Sequence, residues 1–248
     1  MKALILAGGH GSRLRPWTFS VPKPLIPIGE RPIMEIIIKR LKKFGFHNFV
    51  VSVGYRGELI EAFFQNGEKL GVKIDYVREL SPLGTAGPLS LLSDRFNIDL
   101  DSSILLMNGD ILTRINFTEL MRYHKKNNFD VTVVVKKFNM KFPYGILKIK
   151  NAAIKSVMEK PVYHYDISTG IYMIKAEVLK FIPKGKFFTM PQLIELLIRR
   201  KKKVGAYFSK KQWLAVEEQA DLERIYADLD SWLDKSEIKS SRLNNNQL

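Results

Sequence analysis

The chain opens on an apolar run, Lys2 to Ala7 (KALILA), which predicts a buried β-strand. Apolar residues then recur at helical spacing from Pro32 to Phe44. Ile33, Ile37, Leu41 and Phe44 fall on one face, with proline near the start and Gly45 at the end. Phe49 to Val53 reads as a short strand, Glu58 to Gln65 as a helix and Lys73 to Val77 as a strand. Ala86 to Leu92 reads as the opening of a helix and Ser103 to Met107 as another buried strand. Strands alternating with helices imply a mostly parallel sheet covered on both faces. Ligands of such sheets gather at the carboxyl ends of the strands. The turns after KALILA and after Ser103 to Met107 both fall there, so two distant segments meet at one edge.

From about residue 129 the pattern changes. Val131 to Val135, Ile146 to Ile149 and Gly170 to Ile174 read as strands separated by short turns, and helices follow at Met190 to Arg200 and Ala220 to Leu233. The expected class is α/β: a Rossmann-like, mostly parallel sheet with helices on both faces, plus a smaller strand-rich half. One domain would span 1–234, in halves of about 1–128 and 129–234. Residues 235–248 are polar and free of aromatics, which predicts a disordered tail.

A length of 248 residues with 46% hydrophobic content suits one large α/β domain or two small ones. The absence of cysteine excludes disulfides and thiolate metal sites. No apolar run approaches about 18 residues, so neither a membrane-spanning helix nor a membrane partner is expected. The first residues enter a strand without a signal-peptide layout, and a cytoplasmic protein is the expectation. A net charge of +15 suits nucleic-acid binding, steering of small polyanionic substrates, or a lysine-rich surface. No nucleic-acid motif accompanies the charge, so no nucleic-acid partner is expected. The densest run, Arg199 to Lys203, ends a helix pattern, where cations complement the macrodipole. The four histidines (His10, His47, His124, His164) show no metal-ligand spacing and read as surface or structural residues.

The chemistry concentrates after the first strand, in Gly8-Gly9-His10-Gly11-Ser12-Arg13 and then Pro22-Lys23-Pro24. Glycines there let backbone N–H groups approach phosphate oxygens. Arg13 and Lys23 add positive charge, and Lys23 is held between two prolines that restrict the backbone. This is the chemistry of a nucleoside triphosphate site, although the spacing matches neither a P-loop nor G-x-G-x-x-G. Asp110 follows a hydrophobic strand and the turn pair Asn108-Gly109. It suits a hard Mg²⁺ bound by one or two carboxylates plus substrate phosphates. It equally suits a turn aspartate bonded to its own backbone.

The stretch LILAGGHGSRLRPWTFSVPKPLIPIGERPI resembles the signature of the sugar-phosphate nucleotidylyltransferases. The resemblance continues through Leu83 to Gly87, Met107 to Asp110, Tyr144-Gly145, Glu159-Lys160-Pro161 and Thr169 to Tyr172, and covers roughly residues 1–232. It implies attack by a sugar 1-phosphate oxygen on the α-phosphorus of a nucleoside triphosphate, releasing pyrophosphate and forming a nucleotide sugar. The nucleophile is already an anion, so cations and a metal matter more than a general base. The Leu83 to Gly87 loop looks closest to guanylyl-transferring, mannose-1-phosphate guanylyltransferase-like members, which favours GTP. By the same resemblance, Arg13 and Lys23 would hold the triphosphate, and Lys160 would neutralise the incoming sugar phosphate. Gly8, Gly9, Gly11, Ser12, Gly84, Thr85 and Gly87 would bind the nucleotide, with Thr85 also a candidate helix cap. Glu159 would accept from sugar hydroxyls, and Tyr144, Gly145, Ser168, Thr169 and Gly170 would line the sugar pocket. Asp110 would hold Mg²⁺. Relatives often form dimers or tetramers, so a homo-oligomer is admitted.

The pattern breaks late in the chain. Relatives typically carry Trp-x-Asp, whose aspartate is a second metal ligand, whereas this chain reads Trp213-Leu214-Ala215-Val216-Glu217. Ser168 likewise replaces a common asparagine. Three readings follow: Glu217 supplies the carboxylate, Asp110 suffices with ligands from both substrates, or the chain binds nucleotide sugars with weak or no catalysis.

Overall fold

A computed structural model describes residues 2–92, 96, 99 and 102–233. The tail predicted for 235–248 lies outside them. The strands are β1 (Lys2–Ala7), β2 (Pro27–Ile28), β3 (Arg31–Pro32), β4 (Asn48–Val53), β5 (Lys73–Arg78), β6 (Ser103–Asn108) and β7 (Ile111–Thr113). They continue with β8 (Val131–Lys141), β9 (Ile146–Lys150), β10 (Ala153–Met158), β11 (Val162–Lys175), β12 (Val204–Phe208) and β13 (Trp213–Ala215). The α-helices are α1 (Ile33–Lys42), α2 (Gly57–Phe64), α3 (Phe117–Lys126), α4 (Met190–Arg199), α5 (Gln219–Ala227) and α6 (Leu229–Trp232).

Seven strands form the central sheet in the order β12-β8-β11-β6-β1-β4-β5. Within it β11 alone runs against both neighbours; the other pairings are parallel. The mostly parallel sheet expected from the alternation is therefore present. Strand periodicity sends Ala3, Ile5 and Ala7 to one face and Leu4 to the other. On the first face they join Ile33, Ile37 and Leu41 of α1, Phe117 and Leu120 of α3, and Leu222 and Ile225 of α5. On the second face lie Met190, Leu193 and Leu197 of α4. Helices on both faces are thus explained by buried rows on both faces.

Several elements differ from the sequence expectation. The helix opening at Ala86 to Leu92 is a 3₁₀ segment, Gly87–Leu91, with Pro88 in its first turn. The single helix expected over 220–233 breaks at Asp228, where φ −141° and ψ 56° leave helical space. Helix α3 was not foreseen, because one of its inward positions is a histidine: His124 is buried, with Phe117 and Leu120 as its apolar neighbours on that face. In the strand-rich second half β8, β11 and β12 extend the central sheet, while β9 and β10 pair as a separate two-stranded sheet. What projects is an arm. The distal ends of β8 and β11 and the whole β9–β10 hairpin are exposed.

Candidate active site

At the carboxyl edge of β1 and β6 lies a cleft of about 380 Å³. The glycine loop forms its floor. Gly11 sits at φ 61°, and a Cβ there would fall 2.9 Å from the Thr18 methyl group, so a side chain is excluded twice over. The Thr18 hydroxyl donates to the Gly11 carbonyl at 2.9 Å and pins the turn. The 3₁₀ turn Ser12–Leu14 then presents Arg13, while buried Leu14 anchors it. A second 3₁₀ turn, Lys23–Leu25, presents Lys23.

Asp110 follows β6 through the Asn108-Gly109 turn, whose Gly109 N–H donates to the Leu6 carbonyl at 2.8 Å. Its carboxylate pairs with Lys23 through Oδ2, and both side chains are largely buried. Its other oxygen, Oδ1, is buried with no hydrogen-bond partner. A buried acceptor without a donor is costly unless something cationic meets it. Such an oxygen fits a hard divalent cation. Among the described residues no group of three or more His, Cys, Asp or Glu side chains gathers. The protein therefore offers few ligands, and phosphates and water would complete a shell.

Strand β13 pairs antiparallel with β7, setting Ala215 opposite Ile111, and the Val216 N–H donates to the Asp110 carbonyl at 2.9 Å. This register carries the next residue, Glu217, into the cleft wall, where its carboxylate pairs with the Arg13 guanidinium. Ala215 packs against the core.

The other wall comes from Leu83 to Gly87. Backbone bonds zip this loop to the segment before α4: Phe188 N–H donates to Leu83 O, and Ala86 and Gly87 N–H both donate to Phe188 O, each at 2.9 Å. The Thr85 hydroxyl accepts from the Met190 N–H, the first donor of α4, at 2.8 Å, whereas Thr189 is the N-cap of that helix; Thr85 caps no helix of its own. Zipping also brings Phe187, 61% exposed, onto the cleft wall. Glu79, directly after β5, lines the same end. Its Oε1 accepts from the Ser52 hydroxyl at 2.7 Å and its Oε2 from the Leu83 N–H at 3.0 Å. His10 stacks its ring on Tyr55 at 4.9 Å.

Of the residues singled out from sequence, the cleft unites Gly8, Gly9, Gly11, Ser12, Arg13, Lys23, Gly84, Thr85 and Asp110. Gly87 lies at the start of the adjoining 3₁₀ segment. The candidate sugar residues are spread along β11 and the arm. Gly170 packs against the Asn108 carboxamide of the cleft. Ser168 bonds the Tyr172 hydroxyl at 2.8 Å; burial pushes that phenol up in pKa, with the Ser168 bond opposing. Thr169 is buried and donates to the Val134 carbonyl at 2.9 Å, while its own carbonyl accepts from the Trp213 indole. Its side chain therefore faces the sheet, not the cleft. Tyr144 is 72% exposed, Gly145 lies beside Glu159, and Glu159 and Lys160 pair loosely at 3.8 Å on the open arm. Sequence reading missed Glu79 and Phe187. The position of Glu79 just past a parallel strand was its available signal; Phe187 had none, since only the zipping of two loops exposes it.

Fold and cleft together define an α/β protein with a glycine-rich loop at the carboxyl edge of a mostly parallel sheet. The chain belongs to the nucleotidyl transferase family, whose model matches residues 2–234. It is 38% identical over 187 residues to a mannose-1-phosphate guanyltransferase of Yarrowia lipolytica, covering 73% of this chain and 51% of that one. It is 32% identical over 216 residues to a UTP–glucose-1-phosphate uridylyltransferase of Synechocystis, covering 79% and 55%. The chain thus spans about half the length of the curated relatives it matches. In fold it is similar to a candidate glucose-1-phosphate thymidylyltransferase of Bacillus anthracis, with TM-score 0.74, 22% identity and coverage of 94% and 96%.

Proposed function

We propose that this cleft transfers a nucleotidyl group from a nucleoside triphosphate, GTP favoured, to a sugar 1-phosphate. A phosphate oxygen of the sugar attacks the α-phosphorus, the bond to the β-phosphate bridging oxygen breaks, and pyrophosphate leaves with the negative charge. The observation that carries the reading is the convergence of the glycine loop, Arg13, Lys23, Asp110 and the Thr85 loop on one cleft.

Backbone N–H groups of Gly8 to Ser12 and the Arg13 guanidinium receive the triphosphate, and Arg13 stabilises departing pyrophosphate. Lys23 neutralises the same phosphates. Phe187 offers a ring face for the base, and the Glu79 carboxylate accepts two adjacent donors, as guanine N1–H and N2–H present. Asp110, through Oδ1, and Glu217 would hold Mg²⁺, which when bound supplies charge neutralisation across the phosphates. Arg13 releases Glu217 as triphosphate engages the guanidinium. The half from 129 to 234 is the sugar side: Glu159, Tyr144, Gly145, Ser168 and Gly170 meet the sugar, and Lys160 offsets repulsion between the two anionic substrates. Thr169 acts there through its backbone. A cytoplasmic reaction belongs to the same reading.

A second reading, a nucleotide-sugar-binding protein with little or no turnover, is favoured by Ala215, which cannot ligate a cation. Pyrophosphate release with Mg²⁺, measured across GTP, UTP, dTTP, CTP and ATP against common sugar 1-phosphates, separates the two. Turnover with one pair supports transfer. Silence across the grid, with nucleotide sugar still binding by calorimetry, overturns it in favour of the second reading.

A further inference from the structure

A second concavity, of about 500 Å³, is lined by Arg31, Lys39, Lys42, Lys43, His47 and Lys69 together with Leu70. It shares no lining residue with the cleft. Helix α1 runs from the carboxyl edge of the sheet to the amino edge, and His47 and Lys73 flank the amino ends of β4 and β5. Arg31 stands at the start of this helix and Lys39 to Lys43 at its end, so the hollow runs along about 15 Å of α1.

The floor of this concavity is built rather than incidental. The Lys42 ammonium donates to the Leu70 carbonyl at 2.7 Å. Gly71 turns the chain beside it at φ 64°, a conformation that favours glycine. Lys39 and Arg31 are half-buried against Glu35, at 2.6 and 3.5 Å. Lys69 rides on a 3₁₀ turn (Glu68–Leu70) stitched by Gly71 N–H to Glu68 O at 2.8 Å and tied on by Lys73 N–H to His47 O at 2.8 Å. Lys43 and His47 form an exposed rim.

Five permanent cations therefore converge on one hollow, with Glu35 as the carboxylate paired into it. Like charges brought together on a concave surface repel and focus a positive potential. The α1 macrodipole accounts for cations in its last turn, Lys39 and Lys42, and at Lys43 just beyond. It does not account for Arg31 and Lys69, which come from other elements and point into the same space. The cleft lining includes none of these groups.

We infer that this hollow is a second anion site, for an oligophosphate chain, either free or carried by a nucleotide. Its shape and fixed donors suit a compact polyanion; phosphates accept from Arg31, Lys39, Lys43 and Lys69 while Lys42 stays on its carbonyl.

The test is a backbone-amide NMR titration of the full chain with inorganic tripolyphosphate in magnesium-free buffer, near about 0.15 M ionic strength, where exposed charges are screened beyond about 8 Å. Saturable shifts are expected at Gly45 to Asn48 and Glu68 to Lys73, separate from any at Gly8 to Arg13. The Lys43→Glu/Lys69→Glu variant is expected to weaken the first set by about tenfold or more and leave the second unchanged. A thermal melt matching the wild type shows that the variant folds. Titration with GTP distinguishes the sources: tighter binding than tripolyphosphate at the remote amides points to a nucleotide, equal binding to a free oligophosphate. The proposal is overturned if the remote amides do not move, if their shifts survive charge reversal, or if sulfate at equal ionic strength reproduces them. None of these outcomes depends on whether the cleft turns over.

Discussion

Replacing Glu79 by glutamine is the sharpest probe of base choice. Both carboxylate oxygens are already fixed, one by the Ser52 hydroxyl and one by the Leu83 N–H. Each keeps a second acceptor position. Guanine offers two neighbouring donors to such a pair. Uracil and thymine offer one N–H between two carbonyls, which a carboxylate repels. Glutamine replaces one acceptor with a donor, so guanine loses one charge-assisted bond and faces an opposed N–H. A hydrogen bond to a charged group is worth about 1.5–3 kcal/mol. With 1.36 kcal/mol per decade, kcat/KM for GTP should fall about 10- to 150-fold. Activity with UTP or dTTP should hold or rise, because an amide can match their donor–acceptor edge. The assay is pyrophosphate release for the three triphosphates at one sugar 1-phosphate, with a thermal melt as the folding control. The informative quantity is the ratio between bases. An equal fall for all three would mean that Glu79 merely supports the Leu83 to Gly87 loop, and the base-reading argument would be refuted.

Other outcomes follow from the same geometry. Asp110→Asn should cut Mn²⁺ binding, read by electron paramagnetic resonance, and lower kcat/KM by at least ~100-fold, since cation stabilisation contributes several kcal/mol; unchanged binding would remove Asp110 from the cation site. If Glu217 stands in for the carboxylate absent at Ala215, Glu217→Gln should weaken Mn²⁺ by about tenfold, and adding Ala215→Asp should restore it; wild-type affinity in Glu217→Gln would rule Glu217 out. Burial, with Lys175 adding to it and Asp130 opposing, lowers the pKa of His124 from 6.5 to about 4. The unfolded chain then binds more protons in that window, so stability is fully present above about pH 6.5 and is lost as pH falls towards 4, by up to about 3 kcal/mol. Urea titrations across pH 4–8 should show this slope in the wild type and a flatter one in His124→Gln; equal slopes would refute the assignment.

Much of the frame was legible in sequence because local patterns specified it. The apolar runs at Lys2 to Ala7 and Ser103 to Met107 are short, bounded by turn residues and buried on both faces, which marks them as central strands of the sheet. The glycine loop, Pro22-Lys23-Pro24 and Asn108-Gly109-Asp110 carry their chemistry within a few residues, so a linear reading could find them. Helix α3 was hidden because His124 fills a buried position with a polar ring satisfied by Thr132 and Ser103, at 2.8 and 3.1 Å. The extent of β8 and β11 was hidden because their distal halves are exposed and lack strong alternation.

The sequence by itself determined the fold class, the glycine loop and the carboxylate at the end of β6, since each depends on residues adjacent in the chain. Tertiary structure alone decided which residues share the cleft. Lys23 meets Asp110 because β6 lies beside β1, and Arg13 meets Glu217 because β13 pairs with β7 in one particular register. Glu79 and Phe187 enter through strand ends and loop zipping that no local pattern encodes. The basic hollow along α1 has the same origin: its cations come from segments around residues 31, 39–43 and 69, and packing of α1 against the sheet is what makes them neighbours. Contacts of this kind are set by the packed core, whose geometry depends on every element at once.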